Sequence, residues 1–305
     1  MDGGAPRLRH PDVQGTSVAI MTPQILITLL LNGLFTGAIY GLFASGLTFQ
    51  LGSLSIANFG YGSWLILAMY TTFFALKIWN VHLAVVILLL PVAYFAIGYV
   101  IRNRLLVGGS LNVQILCTIG IAMIVDGLII LFYSPAPRTL GIIEPLIEIA
   151  PGIRIGAIRL LVFVLAATLL ILFQLFLQRS HLGKVIRAVV LERETAMLMG
   201  INSERVIGIA FGISFVLIAI SGIMLIHLFP VTTSAGSNYQ LMSFLIATIA
   251  GLGNMRGAFY AGLAIGVLNA FLLYFAASFV TVVIFSLFVV VLILRSGRTA
   301  GMRHI

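Results

Sequence analysis

Charged residues are scarce in this chain of 305 residues. Only 8% of its residues are Asp, Glu, Lys or Arg, whereas 61% are hydrophobic, and the mean hydropathy is +1.18. A typical soluble domain carries about 25% charged residues. This shortage of charge excludes an ordinary soluble fold and indicates a protein that lies mostly within a membrane.

The residues and motifs that enzymes and metal sites use are also scarce. The single cysteine, Cys117, lies in an apolar stretch, so the sequence offers neither a disulfide framework nor a cysteine-based metal site. No His-Glu-x-x-His motif is present, and the one Gly-Lys pair, at 183–184, precedes Val rather than Ser or Thr. We therefore expect no catalytic residue, no metal and no cofactor on this chain, and an ATPase would have to be a separate subunit.

The net charge of +9 does not indicate a nucleic-acid-binding face, because Lys and Arg are spread over the gaps between apolar stretches. Gaps that are rich in Lys and Arg mark the cytoplasmic side of a membrane protein. The gap after residue 101, the gap 178–205 and the tail after 295 are basic, so we place them in the cytoplasm. The gap 134–157 is richer in Pro and Gly and is expected outside. Residues 1–22 are nearly balanced in charge, which leaves their side open.

Apolar stretches of about 20 residues predict membrane-spanning helices. The sequence therefore predicts an all-α polytopic membrane protein with about 8–9 transmembrane helices. We divide it into a polar N-terminal tail (1–22), a transmembrane domain (23–295) that includes a cytoplasmic loop at 179–205, and a cytoplasmic C-terminal tail (296–305). The predicted spans are 25–49, 60–76, 84–101, 113–133, 160–177, 206–229, 241–253, 257–276 and 279–294.

Two of these spans are interrupted by Gly-rich chain that carries few charges. The first interruption, 52–62, precedes the span 60–76, and the second, 251–257, follows the short span 241–253. Non-helical backbone at membrane depth is tolerated only where it is buried in protein or lines a cavity. One break in each half favours a substrate path between repeat-like halves. A tight hairpin outside the membrane is the alternative for either break.

The loop 179–205 gathers ionisable residues in one aqueous segment, with KVIRAVVLERETAMLMGI at 184–201. We expect one short amphipathic helix, then a turn in which Gly200 tolerates positive φ, and a cap from Asn202 or Ser203 for the next span. Small and flexible apolar side chains beside charges suit docking onto a partner protein. A helix that lies on the lipid headgroups is the alternative.

Asp126 is the one acidic residue well inside an apolar span. A charge at the bilayer centre costs about 2.5–3.5 kcal/mol on insertion scales, so Asp126 should face the interior of the helix bundle. It either lines a path, in a polar network with residues such as Asn32 and Asn58, or forms an ordinary hydrogen bond between helices.

Three segments resemble the permease subunits of branched-chain amino acid ABC importers (LivH/LivM type). The spacing Glu194-x-Ala196-x-x-x-Gly200 is similar to the loop through which ABC importer permeases meet their ATPases. The segments NGLFTGAIYGLFASGLTFQLGSLSIANFGYGSWLILAMY and FLIATIAGLGNMRGAFYAGLAIGVL resemble the first spans and the late Gly-rich segment of this family. The resemblance covers roughly 25–295 and keeps the order of all three landmarks.

The resemblance implies an ABC importer permease fold in the bacterial cytoplasmic (inner) membrane. It also implies two cytoplasmic ATPases that bind ATP-Mg, a periplasmic or lipid-anchored solute-binding protein, and a second, related permease, with a heterodimer favoured. Movement of 184–201 would rock the spans 160–177 and 206–229. The residues expected to couple to the ATPase are Arg187, Glu192, Glu194, Ala196 and Gly200.

This sequence departs from the family pattern in both breaks. Many relatives have His and a carboxylate where this chain has Tyr61 and Ser63, and Asn254 lies in an altered late Gly-rich segment. A standard leucine, isoleucine or valine specificity is therefore not implied. An ion-coupled secondary transporter is the alternative function, since interrupted spans and Asp126 could serve ion coupling. The path candidates are Asn32, Asn58, Tyr61, Ser63, Asp126 and Asn254.

Overall fold

Eleven α-helices and one β-hairpin make up the part of the chain that the computed structural model describes, which is residues 23–133, 136–142, 144–150 and 153–301. The helices are α1 (Pro23–Gly52), α2 (Tyr61–Lys77), α3 (Leu83–Leu105), α4 (Leu111–Tyr133), α5 (Ala157–Arg179), α6 (His181–Leu191), α7 (Arg193–Leu198), α8 (Ser203–Leu228), α9 (Ala235–Ala250), α10 (Met255–Phe275) and α11 (Val280–Gly301).

The predicted spans and the helices agree closely. Each of the nine predicted spans falls on a helix, and seven of the described helices are long and apolar enough to cross a membrane. The other two are α2 and α9, with 17 and 16 residues, which are the spans next to the suspected breaks. The all-α polytopic fold class is thereby confirmed.

Two features of the fold differ from the expectation. The described part of the external gap contains an antiparallel hairpin, β1 (Leu146–Ala150) and β2 (Ile153–Gly156), which the sequence did not indicate. The strands have five and four residues, which is the lower end of the length over which an alternating pattern indicates a strand. Helix α11 continues to Gly301, beyond the predicted end of the transmembrane domain at 295. The predicted tail 1–22 lies outside the described residues.

The helices form two halves of inverted topology, α1–α4 and α8–α11, joined by α5–α7. Helix α1 packs along α10, and its equivalent α8 packs along α3. Likewise α2 packs on α8 while α9 packs on α1, and α4 contacts α2 as α11 contacts α9. Near the start of α1, Asn32 Oδ1 accepts a hydrogen bond from Arg159 Nη1 (3.1 Å), just after the hairpin. Helix α1 therefore begins on the external side, and inverted repeats of this kind are typical of transporters.

Glycines allow the two long helix pairs to approach closely. A methyl group added at Gly37 of α1 would lie 2.7 Å from the Gly262 carbonyl oxygen of α10. In the equivalent pair, a methyl group at Gly212 of α8 would lie 2.9 Å from the Phe95 carbonyl oxygen of α3. Helix association within lipid is driven by van der Waals packing, so such small residues determine which helices pair.

We expect Gly37→Ala to destabilise the isolated chain by about 1–3 kcal/mol, because the added methyl group overpacks the α1–α10 contact. Gly120→Ala in α4 is the matched control, since a methyl group there meets nothing within 4 Å. Alanine is also the better helix former, so this control should unfold at the same or a slightly higher temperature. Thermal unfolding in detergent measures both. Equal unfolding temperatures for the two variants would contradict this account of the helix packing.

Candidate functional site

Non-helical chain at 53–60 separates α1 from α2 and lies against the middle of the bundle. Thr118, inside α4, accepts a hydrogen bond from the Phe59 N–H (3.2 Å), and its hydroxyl lies 3.3 Å from the Ala57 carbonyl oxygen. The side chain of Asn58 accepts from the Gly60 N–H (3.0 Å). Backbone groups that have left the helical pattern are thus satisfied by protein rather than by water.

A glutamine from the opposite half completes this arrangement. Gln240 of α9 accepts a hydrogen bond from the Gly62 N–H (2.6 Å) and donates to the Asn58 carbonyl oxygen (3.4 Å). Gly62 also lies against Gly236, so the first turns of α2 and α9 meet. Neither Gln240 nor Thr118 was among the sequence candidates. The signal that could have found them is an uncharged polar residue inside an apolar helix.

The break in the second half lies at 229–234, between α8 and α9, whereas the Gly-rich segment that the sequence favoured as a break takes the alternative form of a tight hairpin. By the inverted topology, 229–234 is equivalent to 53–60. Within it, Val231 exchanges two backbone hydrogen bonds with Arg138 of the external gap (3.0 and 2.8 Å). Residues 251–254 form a short connection between α9 and α10, in which Gly251 and Gly253 have φ of +94° and +84°. These glycines serve a tight turn, which is why the Gly-rich pattern misplaced the break.

Four of the six path candidates lie at the first break or against the first turn of α2. Asn58 and Tyr61 are buried, and the Tyr61 hydroxyl donates to the Phe43 carbonyl oxygen of α1 (2.9 Å). The buried side chain of Ser63 faces the Asp126 carboxyl group of α4. This group, Asn58, Tyr61, Ser63 and Asp126, is called the break cluster below.

The other two path candidates lie far from the break cluster. Asn32 is held near the external end by Arg159, as described above. Asn254 is the N-cap of α10 and accepts a hydrogen bond from the Gly257 N–H (3.0 Å). Since α10 begins at the cytoplasmic end, these two residues lie near opposite faces of the membrane.

The cytoplasmic loop contains two helices, α6 and α7, rather than the single helix expected. Glu192 interrupts the helical conformation with φ of −148° and ψ of 94°. Gly200 follows the end of α7 with φ of +81°, a left-handed conformation that Gly commonly adopts just after a helix. Asn202 then caps α8 by accepting a hydrogen bond from the Arg205 N–H (3.0 Å).

The loop presents an apolar surface to water. Ala196 is buried, but Leu198 is 87% exposed, and three other large apolar side chains of the loop are at least half exposed. Glu192 and Glu194 are exposed at its edge. We call this surface the docking patch, and it consists of Leu191, Met197, Leu198 and Met199.

An ion-pair network fastens the loop to the membrane helices. Glu204, in the first turn of α8, pairs with Arg102 at the end of α3 (3.0 Å) and with Arg193 of α7. Arg102 is only 5% exposed. Sequence reasoning used Arg102 for orientation alone and missed Glu204, because the partners are remote in sequence. The Arg187 side chain lies outside this network, because its Nη2 donates a hydrogen bond to the Gln178 carbonyl oxygen of α5 (3.1 Å).

Inverted halves, two short helices whose first turns meet inside the bundle, and a cytoplasmic loop with an exposed apolar patch are typical of a membrane transport protein. The family model described as "Branched-chain amino acid transport system / permease component" matches residues 29–294. The chain belongs to this family.

Three relatives of similar length share this sequence pattern. The chain is 27% identical to the high-affinity branched-chain amino acid transport system permease protein BraD of Pseudomonas aeruginosa, over 89% of this chain and 94% of the relative. It is 24% identical to the corresponding LivH protein of Salmonella typhimurium and 23% identical to that of Escherichia coli, over 92% of this chain and 98% of each relative. No solved structure matches the chain.

These findings establish a permease subunit of an importer and a multi-pass protein of the cytoplasmic membrane. A permease subunit is not an enzyme in itself. The family also implies ATPase and solute-binding partners in general, and it disfavours an ion-coupled secondary transporter.

We expect Glu204→Gln to lower stability by about 3 kcal/mol, because it leaves the buried Arg102 without its carboxylate. Arg193→Gln removes the exposed half of the network and should cost less than about 1 kcal/mol. Thermal unfolding in detergent compares them, with Glu194→Gln as a control for loss of an exposed carboxylate. An equal effect of Glu204→Gln and Glu194→Gln would show that the network does not hold α3, α7 and α8 together.

Proposed function

We propose that this chain forms half of the translocation path of an ABC importer for a branched-chain or other hydrophobic amino acid, or a related small amphipathic solute. Two cytoplasmic ATPases, which bind ATP-Mg, drive it, and a periplasmic or lipid-anchored protein delivers the solute. The observation that carries this proposal is the docking patch, placed on the basic and therefore cytoplasmic side.

The docking patch suits an ATPase contact better than a lipid contact. An exposed apolar surface of this kind on an aqueous loop marks an interaction site, and acidic side chains at its edge are repelled by anionic headgroups. Ala196 and Gly200 shape the loop rather than contact a partner, since Ala196 is buried and Gly200 has positive φ. Glu192 and Glu194 remain as candidate polar contacts.

Movement of the loop reaches the path through direct contacts. Helix α6 packs on α5 and α8, and Glu204 extends the connection to α3. Deeper in the bundle, Gln50 of α1 donates to the Ser214 hydroxyl of α8 (2.5 Å), so α8 is also bonded to the helix that precedes the first break. ATPases that fit the loop differently when open and closed would shift the equilibrium between outward-open and inward-open paths.

The nature of the path favours a small amphipathic solute. The polar groups around the first break are mostly uncharged, and the one acidic residue among the break cluster, Asp126, lies beside Ser63. A strongly charged solute would require compensating groups along the path. The relatives are named for branched-chain amino acids, which supports this solute class.

A second permease subunit would complete the path. Helices α4 and α11 occupy equivalent positions in the two halves, and both leave many large apolar side chains exposed. We propose that these faces contact a related permease in a heterodimer, while the remaining apolar surface contacts lipid.

Leu198→Ala should weaken ATPase binding by about tenfold, because it removes a side chain from the centre of the docking patch. Leu88→Ala in α3 is the matched control, with the same truncation at a 68% exposed position outside the loop and outside α4 and α11. Affinity purification of the tagged chain, with quantitative mass spectrometry of the recovered ATPase, measures the effect. Equal ATPase recovery from the two variants would contradict docking through this patch.

Gly200→Val should reduce ATP-driven uptake of labelled leucine by the reconstituted importer, since Val disfavours φ of +81° and would redirect the loop. Gly108→Val is the control, because Gly108 also has positive φ (+68°) and lies in another cytoplasmic connection. Uptake that needs an ion gradient but no ATPase would refute the importer proposal itself.

A further inference from the structure

A cavity of about 310 Å³ lies at the cytoplasmic end of the bundle, between the end of α1, the end of α5, α6 and the α9–α10 connection. Its apolar lining includes Phe49 and Ile186, and its polar lining includes two guanidinium groups. The polar lining residues are Ser53, Gln174, Gln178, Arg187, Asn254 and Arg256.

The cavity is positively charged and has no carboxylate in its lining. Arg187 donates only to the backbone carbonyl of Gln178, and Arg256 is exposed. Across the described residues, neither guanidinium forms an ion pair with an acidic side chain. The positive end of the α10 dipole lies beside them. The cavity is therefore complementary to an anion.

An apolar groove continues from this cavity along the membrane-spanning part of α5 and α10. The two spaces share Gln174, Gln178 and Arg256, and the groove has a volume of about 400 Å³. Tyr260 is 69% exposed and Ile171 is also exposed, so the groove opens toward lipid. Its other lining residues are Ala167, Leu170, Leu175 and Phe259.

A cationic cavity at headgroup level joined to an apolar groove fits an anionic phospholipid. We propose that Arg187 and Arg256 bind the phosphate of such a lipid while one acyl chain lies between α5 and α10. A free anion would leave the groove unused, and a zwitterionic lipid would bring its own cationic headgroup next to the two guanidinium groups. Basic pockets between transmembrane helices on the cytoplasmic side bind anionic headgroups for the same reason.

The bound lipid would connect the loop to α10. Arg187 belongs to α6, whereas Arg256 belongs to the first turn of α10, so one phosphate bridges two elements that otherwise contact each other little. Bidentate guanidinium–phosphate pairing makes such a bridge specific. This inference does not rest on which solute is carried.

The test is native mass spectrometry of the delipidated full chain, titrated with phosphatidylglycerol or with phosphatidylcholine of identical acyl chains. We expect phosphatidylglycerol to bind at least about tenfold more tightly, and the double variant Arg187→Gln/Arg256→Gln to remove that preference. Arg179→Gln/Arg205→Gln is the control, because it removes the same charge from exposed positions on the same side, outside the cavity.

Two further measurements separate the proposed lipid from other occupants. Ile171→Trp should fill the groove and weaken phosphatidylglycerol binding while both arginines remain, which also covers the case in which the double variant fails to fold. Equal binding of glycerol phosphate, which has no acyl chains, would overturn the proposal in favour of a free anion. Absence of the lipid from the complete importer would overturn it in favour of a contact with the second permease.

Discussion

The structure depends on one constraint, which is that every polar backbone group inside a membrane must find a partner within the protein. Chain that leaves the helical pattern at 53–60 meets this constraint through Thr118 of α4 and Gln240 of α9. These bonds fix where α2 begins, and they hold the first turns of α2 and α9 against each other. The start of α2 is therefore stabilised by uncharged side chains that α4 and α9 supply.

The same constraint explains why the rest of the bundle is so regular. With the irregular backbone confined to two breaks, the long helices can pair along glycine-lined surfaces, α1 with α10 and α3 with α8. Each pair joins one helix from each half. A rigid-body movement of one half against the other must therefore slide or tilt both pairs together. Helix α8 begins at the cytoplasmic loop, so it is suited to transmit such a movement from an ATPase to the path.

Hydropathy alone predicted the positions of nine helices, because the length and apolar character of a membrane helix are dictated by the bilayer. Local backbone chemistry also predicted the positive φ of Gly200 and narrowed the cap of α8 to Asn202 or Ser203, of which the structure uses Asn202. Contacts between segments that are remote in sequence could not be predicted in this way. The clearest examples are the ion pair of Glu204 with Arg102 and the hydrogen bond from the Gly62 N–H to Gln240. The second break was misplaced because Gly-rich chain signals a tight turn as readily as a re-entrant segment, whereas 229–234 contains no glycine.

The cytoplasmic loop has an inner face toward the membrane helices and an outer face toward water, and Arg187 lies on the inner face. The sequence grouped Arg187 with Glu194 because both lie in one charged segment. In the structure the arginine points back toward α5 and α10, while Leu198 and Met199 point into water. The non-helical residue Glu192 separates α6, which faces the membrane helices, from α7, which faces the cytoplasm. A movement of the loop would change the shape of the inner cavity as well, because Ile186 and Arg187 of α6 line that cavity.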